Sequence, residues 1–208
     1  ESSTHVSIAS LLKRKHLVLG ILAQFLNIGA QVSLWGNFVD LKLDLAKEDN
    51  LWIVDKIYQI SSTMSPTQIA SFHASFAFIL FLVGRFLGTY LMGKMASNKV
   101  LGIYAIGAVI SVSIAMFGGG LAALIALIAV YFFQSIMFPT IFALSCKGLG
   151  EGSKLASSLL IMSIVGGAII PPFTASLFKI STVAALSIPL VCFMYIIYFA
   201  YKGFEIKD

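Results

Sequence analysis

Three amides stand three and four residues apart in the first long apolar stretch: Gln24, Asn27 and Gln31, with Trp35 four residues further on. In a helix that spacing sets all of them on one face, and Phe38 continues it. Amides donate and accept hydrogen bonds, and an indole face packs on a pyranose ring, so the stripe has the chemistry of a sugar site. The competing role for such amides is hydrogen bonding between helices. Gln134 and Ser135, followed by Phe138-Pro139-Thr140, form a second cluster in a later stretch. Pro139 is expected to free a backbone carbonyl and bend its helix. Gly166-Gly167 predict close helix approach, and Pro171-Pro172 predict a broken helix of the kind that marks transporter sites and moving parts. His73 has the titration range for proton handling, although a hydrogen-bonded interfacial histidine is the favoured reading. Arg85, in Gly84-Arg85-Phe86-Leu87-Gly88, is suited to snorkel, cap carbonyls or pair with an acid, which makes structural and gating roles the expectation.

The elements that position these residues follow from composition. The chain has 208 residues, 59% hydrophobic and 11% charged, where soluble domains run at about 45–50% apolar and about 25% charged. A soluble core of this size has no room for that surface, so a soluble enzyme and a disordered chain are both excluded and a bilayer is expected. The net charge of +5 is spread between apolar runs, which suits membrane orientation and not nucleic acid. Cys146 and Cys192 lie in apolar segments without a C-x-x-C partner, so buried thiols are expected and no metal site. Six spans are predicted, over 17–39, 68–93, 100–117, 121–146, 155–178 and 180–201. Gly118, Gly119 and Gly120 divide a charge-free run too long for one helix. Ten-residue polar/apolar alternation is absent, which disfavours a β-barrel.

An even number of spans leaves both ends on one side. That side holds Lys13, Arg14, Lys15, Arg85, Lys94, Lys99, Lys147, Lys154, Lys202 and Lys207, against Lys42, Lys47, Lys56 and Lys179 on the other. The bias predicts cytoplasmic ends in an inner (cytoplasmic) membrane. The loop over 40–66 would then lie outside, with Trp52 and Tyr58 as interfacial anchors. The polar start at Glu1, without Met, suggests the middle of a longer polypeptide or a trimmed one. No Asp or Glu falls inside a predicted span. A proton-coupled carrier therefore needs a carboxylate from outside this chain, or His73 in its place.

Gln24 to Gln31 with Trp35, Gly84-Arg85-Phe86-Leu87-Gly88-Thr89, Asn98-Lys99-Val100-Leu101 and Phe138-Pro139-Thr140-Ile141-Phe142-Ala143-Leu144 read together as a family. With Val165-Gly166-Gly167-Ala168-Ile169 and Pro172, the chain from about Leu17 to Tyr201 resembles the carboxy-terminal half of the L-fucose:proton symporter family, the fucose–galactose–glucose branch of the major facilitator superfamily. The resemblance implies an all-α integral membrane fold in which six helices form one bundle of a twelve-helix transporter. It implies residues 1–15 as the end of a cytoplasmic linker, 16–203 as the bundle and 204–208 as a cytoplasmic tail. It also implies a monosaccharide and a proton as substrates, alternating access, and an amino-terminal six-helix half that carries the coupling carboxylates. By position it assigns Gln24, Gln31, Trp35 and Phe138 to the sugar cavity, and it makes Gly84–Gly88 a degenerate loop motif with a gating role. Asn27 and His73 stand where the family commonly has Tyr, which leaves the choice among fucose, galactose, glucose and N-acetylglucosamine open.

Other six-span classes fit less well. Asn-Pro-Ala boxes and His-Glu-x-x-His are absent, and Gly150-Glu151-Gly152-Ser153 is not the serine-protease Gly-x-Ser-Gly. The alternatives that stay open are a complete six-helix channel and a dimerising half-transporter for another small solute. An enzyme, a metal and an organic cofactor are not expected, and the face meant for the partner half should be unusually polar.

Overall fold

The structure, a computed structural model, describes residues 7–41 and 65–206. The expected anchors Trp52 and Tyr58, and all of the 40–66 loop except its ends, lie outside the described residues. A short helix α1 (Ile8–Leu11) precedes α2 (Lys15–Gly36), α3 (Pro66–Met92) and α4 (Ser97–Phe117). Then come α5 (Gly120–Gln134), α6 (Met137–Cys146), α7 (Ser153–Met162), α8 (Gly166–Phe178) and α9 (Thr182–Tyr198). These make six helical stretches long and apolar enough to cross a membrane: Lys15–Gly36, Thr67–Met92, Ser97–Phe117, Gly120–Cys146, Gly150–Phe178 and Thr182–Gly203.

Local chemistry sets the ends of these elements. The Ser65 hydroxyl accepts from the Gln68 amide at 3.3 Å, and the Gln68 side chain accepts from the Ser65 amide at 2.7 Å. This capping box, with Pro66 in the first turn, starts span two at Pro66, two residues before the predicted 68. Gly119 (φ 62°) and Gly120 (φ 47°) take the left-handed conformation that turns the chain between spans three and four.

Two kinks differ from expectation. Span four breaks at Ser135-Ile136, before Pro139. Pro139 sits in the first turn of α6, where its missing N–H would have had no intrahelical acceptor, and the break precedes it. The hydroxyls of Ser135 and Thr140 donate to the carbonyls of Phe132 and Ile136, both at 2.7 Å. Span five tightens to a 3-10 turn at Ser163–Val165, while α8 runs unbroken through Pro171 and Pro172. These prolines cannot donate to the carbonyls of Gly167 and Ala168, and their rings crowd that turn. The backbone adjusts one turn upstream. A third proline, Pro189, is buried inside α9 and was not among the expected kinks.

Helix packing centres on α2, which touches α6, α8 and α9. Helices in lipid approach closely through small residues. A Cβ on Gly166 would meet the Phe25 carbonyl, and one on Gly29 would meet Ile170. Gly84 lies against the Phe132 carbonyl and Gly88 against Ile136. Both sit inside α3, as the predicted span 68–93 has them, and the Gly84–Gly88 stretch packs closely against span four. The Tyr104 hydroxyl donates to the Gly84 carbonyl at 3.0 Å. Further pins join Thr174 to Ser33 at 3.1 Å and the Tyr195 hydroxyl to the Leu19 carbonyl at 3.3 Å.

Candidate functional site

Trp35 lies in the last turn of α2. Its indole N–H donates to Oε1 of Gln134, at the end of α5, at 3.2 Å. The ring stacks on Tyr131 (centroids 5.7 Å, 18° between planes) and meets Phe78 and Phe81 of α3 edge-on at 5.0 and 5.5 Å. Phe78 also meets Tyr131 edge-on at 5.4 Å. The break at Ser135-Ile136 follows Gln134 directly, so span four is irregular at the point where it meets the indole. The Tyr131 hydroxyl and Gln134 Nε2 are buried with no hydrogen-bond partner among the described residues.

The amides of α2 continue this polar column inward. Gln24 and Asn27 are 0% and 1% exposed, and none of their four side-chain nitrogen and oxygen atoms has a partner among the described residues. Gln31, between them and Trp35, is 9% exposed. The stripe expected from the sequence therefore exists, and it points into the six-helix bundle. Buried amides without partners cost free energy, typically about 1–3 kcal/mol each by mutational measure. The four orphan atoms lie on adjacent turns of one helix face.

The structure brings Trp35 and Gln134 together and sets Gln24, Asn27 and Gln31 along the same helix. Phe138 is half-buried and stacks on Phe142 (6.4 Å, 20°), apart from the ring cluster around Trp35. His73 is buried on the face of α3 that carries Ala77 and Gly84, and Arg85 is exposed one position beyond Gly84. Gly84, Gly88, Gly166 and Gly167 serve close packing, Gly167 against Ile28 and Val32. Tyr131, Phe78 and Phe81 were not singled out in the sequence. Their signal was present: Tyr131, Gln134 and Phe138 recur at helical spacing, as do Phe78, Phe81 and Arg85. No group of His, Cys, Asp or Glu able to hold a metal ion occurs among the described residues. Aromatic faces with neutral donors and acceptors suit an uncharged polyhydroxylated solute.

No protein-family model matches the chain. Individual relatives do. A candidate glucose/galactose transporter of Helicobacter pylori (strain ATCC 700392 / 26695) is 36% identical over 96% of this chain, which spans 46% of that relative. The L-fucose-proton symporter of Escherichia coli (strain K12) is 34% identical over 96% of this chain and is spanned over 42% of its length. Among solved structures, the E. coli fucose:proton symporter superposes with a TM-score of 0.77 at 32% identity, covering 93% of this chain and 45% of that one. A major facilitator superfamily transporter in the outward conformation gives a TM-score of 0.78 at 31% identity, with 93% and 44% covered. The chain spans less than half the length of the curated relatives it matches. Those relatives are transporters and not enzymes, as the sequence led us to expect. Six apolar helices and this likeness make the chain a multi-pass membrane protein. It belongs to the fucose:proton symporter-like transporters of the major facilitator superfamily, with the extent and fold of one half of such a transporter.

Proposed function

We propose that this chain is the carboxy-terminal half of a proton-coupled hexose symporter that works by alternating access in the inner membrane, with both ends cytoplasmic. The hydrogen bond from Trp35 to Gln134, set among Tyr131, Phe78 and Phe81, carries the reading. It supplies an aromatic face and neutral polar atoms at one place, the requirements of a monosaccharide. Gln31, one turn from Trp35, extends that wall; Asn27 and Gln24 line the same helix deeper inside the bundle, and Phe138, on span four, stands apart from the rings. The amino-terminal half supplies the opposite wall and the carboxylate that takes the coupling proton; no described span here carries a carboxylate in its apolar middle. The irregular turns at 135–136 and 163–165 are the joints at which the bundle closes over the sugar. The reading requires no organic cofactor and no metal; the proton is the coupling ion.

The test is uptake by cells expressing the full-length parent polypeptide. Labelled fucose, galactose, glucose and N-acetylglucosamine are offered with and without a protonophore. Protonophore-sensitive uptake of one of them is expected. No uptake of any, with the protein shown to be in the membrane, rejects the sugar assignment.

A further inference from the structure

Spans one and six run side by side, joined near the end at which span one begins and span six finishes. There the Tyr195 hydroxyl donates to the Leu19 carbonyl at 3.3 Å, and a Cβ on Gly203 would stand 3.6 Å from Leu19 Cδ1. A groove follows this seam. Its mouth is a hollow of about 220 Å³ lined by Leu12, Lys15, Val18 and Leu19. Deeper in, Phe25 and Leu26 carry the same wall into a hollow of about 390 Å³, bounded by Ile170 and Phe173 of α8 and by Ile188 and Val191 of α9. Between the two lies Leu22, 43% exposed, so the bundle leaves the connecting stretch uncovered.

Both walls are helical faces. On α2, Lys15, Val18, Leu22 and Phe25 recur at steps of three and four. On α9, Ile188, Val191, Tyr195 and Tyr198 do the same, with Lys202 next on that side in the π turn Phe199–Gly203. From Lys15 to Leu26 the groove runs about 16 Å at a helical rise of about 1.5 Å per residue. That is the depth of one leaflet, half of a hydrocarbon core about 30 Å thick.

The chemistry along the groove changes in the order in which a phospholipid changes. Lys13, Arg14, Lys15 and Lys202 stand exposed at the mouth. Tyr198, also exposed, is of the residue type that settles at the membrane interface. The deep part is apolar except for the Cys192 thiol and for Ser187, whose hydroxyl donates to the Ala184 carbonyl at 2.6 Å and is satisfied there. The acids among the described residues are Asp40, Glu151 and Glu205, none of them on α2 or α9. Other exposed cations at the same membrane face lack such a groove: Lys94 lies over the Tyr90 ring at 4.5 Å. Basic pockets between membrane helices hold the headgroups of anionic lipids, and here the pocket opens on a track of acyl-chain length.

We infer that this groove holds one anionic phospholipid, its phosphate taken by Lys15 and Lys202 and an acyl chain laid along Val18, Leu22 and Val191. The site requires that the chain span a membrane, and is independent of which solute is carried.

The test uses the full-length parent, purified and stripped of lipid in detergent. Phosphatidylglycerol, or phosphatidylcholine with the same acyl chains, is titrated in and bound lipid is counted by native mass spectrometry. The first phosphatidylglycerol is expected to bind about tenfold more tightly than the first phosphatidylcholine. Lys15→Gln and Lys202→Gln should each weaken it about fivefold, the effect of one lysine at a membrane surface. Lys94→Gln combined with Lys99→Gln should leave it unchanged. Val191→Trp, which fills the groove with both lysines in place, should weaken both lipids; Leu22→Trp replaces it if that variant does not fold. Equal affinity for the two lipids overturns the site, as does an equal loss in the Lys15/Lys202 and Lys94/Lys99 double variants, which would leave only a diffuse basic rim. Full competition by glycerophosphoglycerol, the headgroup without its chains, would make the mouth a site for soluble phosphates and also overturns it. So does unchanged binding in the groove-filling variant, which would remove the acyl chain from the groove.

Discussion

Trp35 and Gln134 are joined across 99 positions of sequence by one hydrogen bond of 3.2 Å, which ties the last turn of span one to the residue just before the break in span four. The contact fixes one ring and one amide, and leaves Gln134 Nε2 and the stacked Tyr131 hydroxyl without protein partners. The pair is thus both a joint between two helices and a presentation of unused polar atoms.

Gln134→Ala should therefore weaken sugar binding more than it weakens the fold. The change removes a donor to the solute and frees the indole to tilt. Equilibrium binding to the purified parent should show Kd raised about tenfold, a loss of about 1.4 kcal/mol, with Tm little changed. An unchanged Kd would remove Gln134 from the site.

Gln31→Ala tests the next turn of the same wall. Gln31 is the least enclosed of the three amides and sits one turn from Trp35. Truncation should raise Kd by about tenfold as well, with the yield of folded protein in the membrane kept. Unchanged binding would restrict the wall to Trp35 and Gln134.

Gln24 and Asn27 should show opposite effects on stability and uptake. Both amides are buried with all side-chain polar atoms unpaired among the described residues. An apolar replacement of similar shape removes a desolvation cost of about 1–3 kcal/mol. Gln24→Leu and Asn27→Leu should hold or raise Tm while uptake falls. A fall in Tm in both variants would show that the amides are satisfied by fixed water and serve the fold.

The fold was legible because each span is long, apolar and bounded by turn residues. Ser65-Pro66 and Gly118–Gly120 place two boundaries by local chemistry alone. The kinks were not, because a proline names the carbonyl it leaves free and not the turn that yields: Pro139 has its break before it, and Pro171-Pro172 theirs a turn upstream. The amide stripe was legible as a helical face, but periodicity does not tell which neighbour that face meets, so its burial inside the bundle was not foreseen. Tyr131 was overlooked because a single aromatic in an apolar run reads as core until Trp35 is seen stacked on it.

The glycines offer a contrast that separates packing from flexibility. A Cβ on Gly84 would press on the Phe132 carbonyl and lie 2.8 Å from the Ser135 hydroxyl oxygen, whereas a Cβ on Gly36 has nothing within 4 Å. Neither glycine has a positive φ among the described residues. Gly84→Ala must therefore push α3 away from α5, and overpacking of this kind costs about 1–3 kcal/mol. It also weakens the hydrogen bond from Tyr104 to the Gly84 carbonyl and shifts Phe78, which stands on the same helix against Trp35. Gly36→Ala adds a methyl to open space and should be neutral or stabilise by a few tenths of a kcal/mol. Thermal melts of the two variants of the purified parent check the prediction. Equal Tm values for Gly84→Ala and Gly36→Ala would show that spans two and four are not held at the separation described.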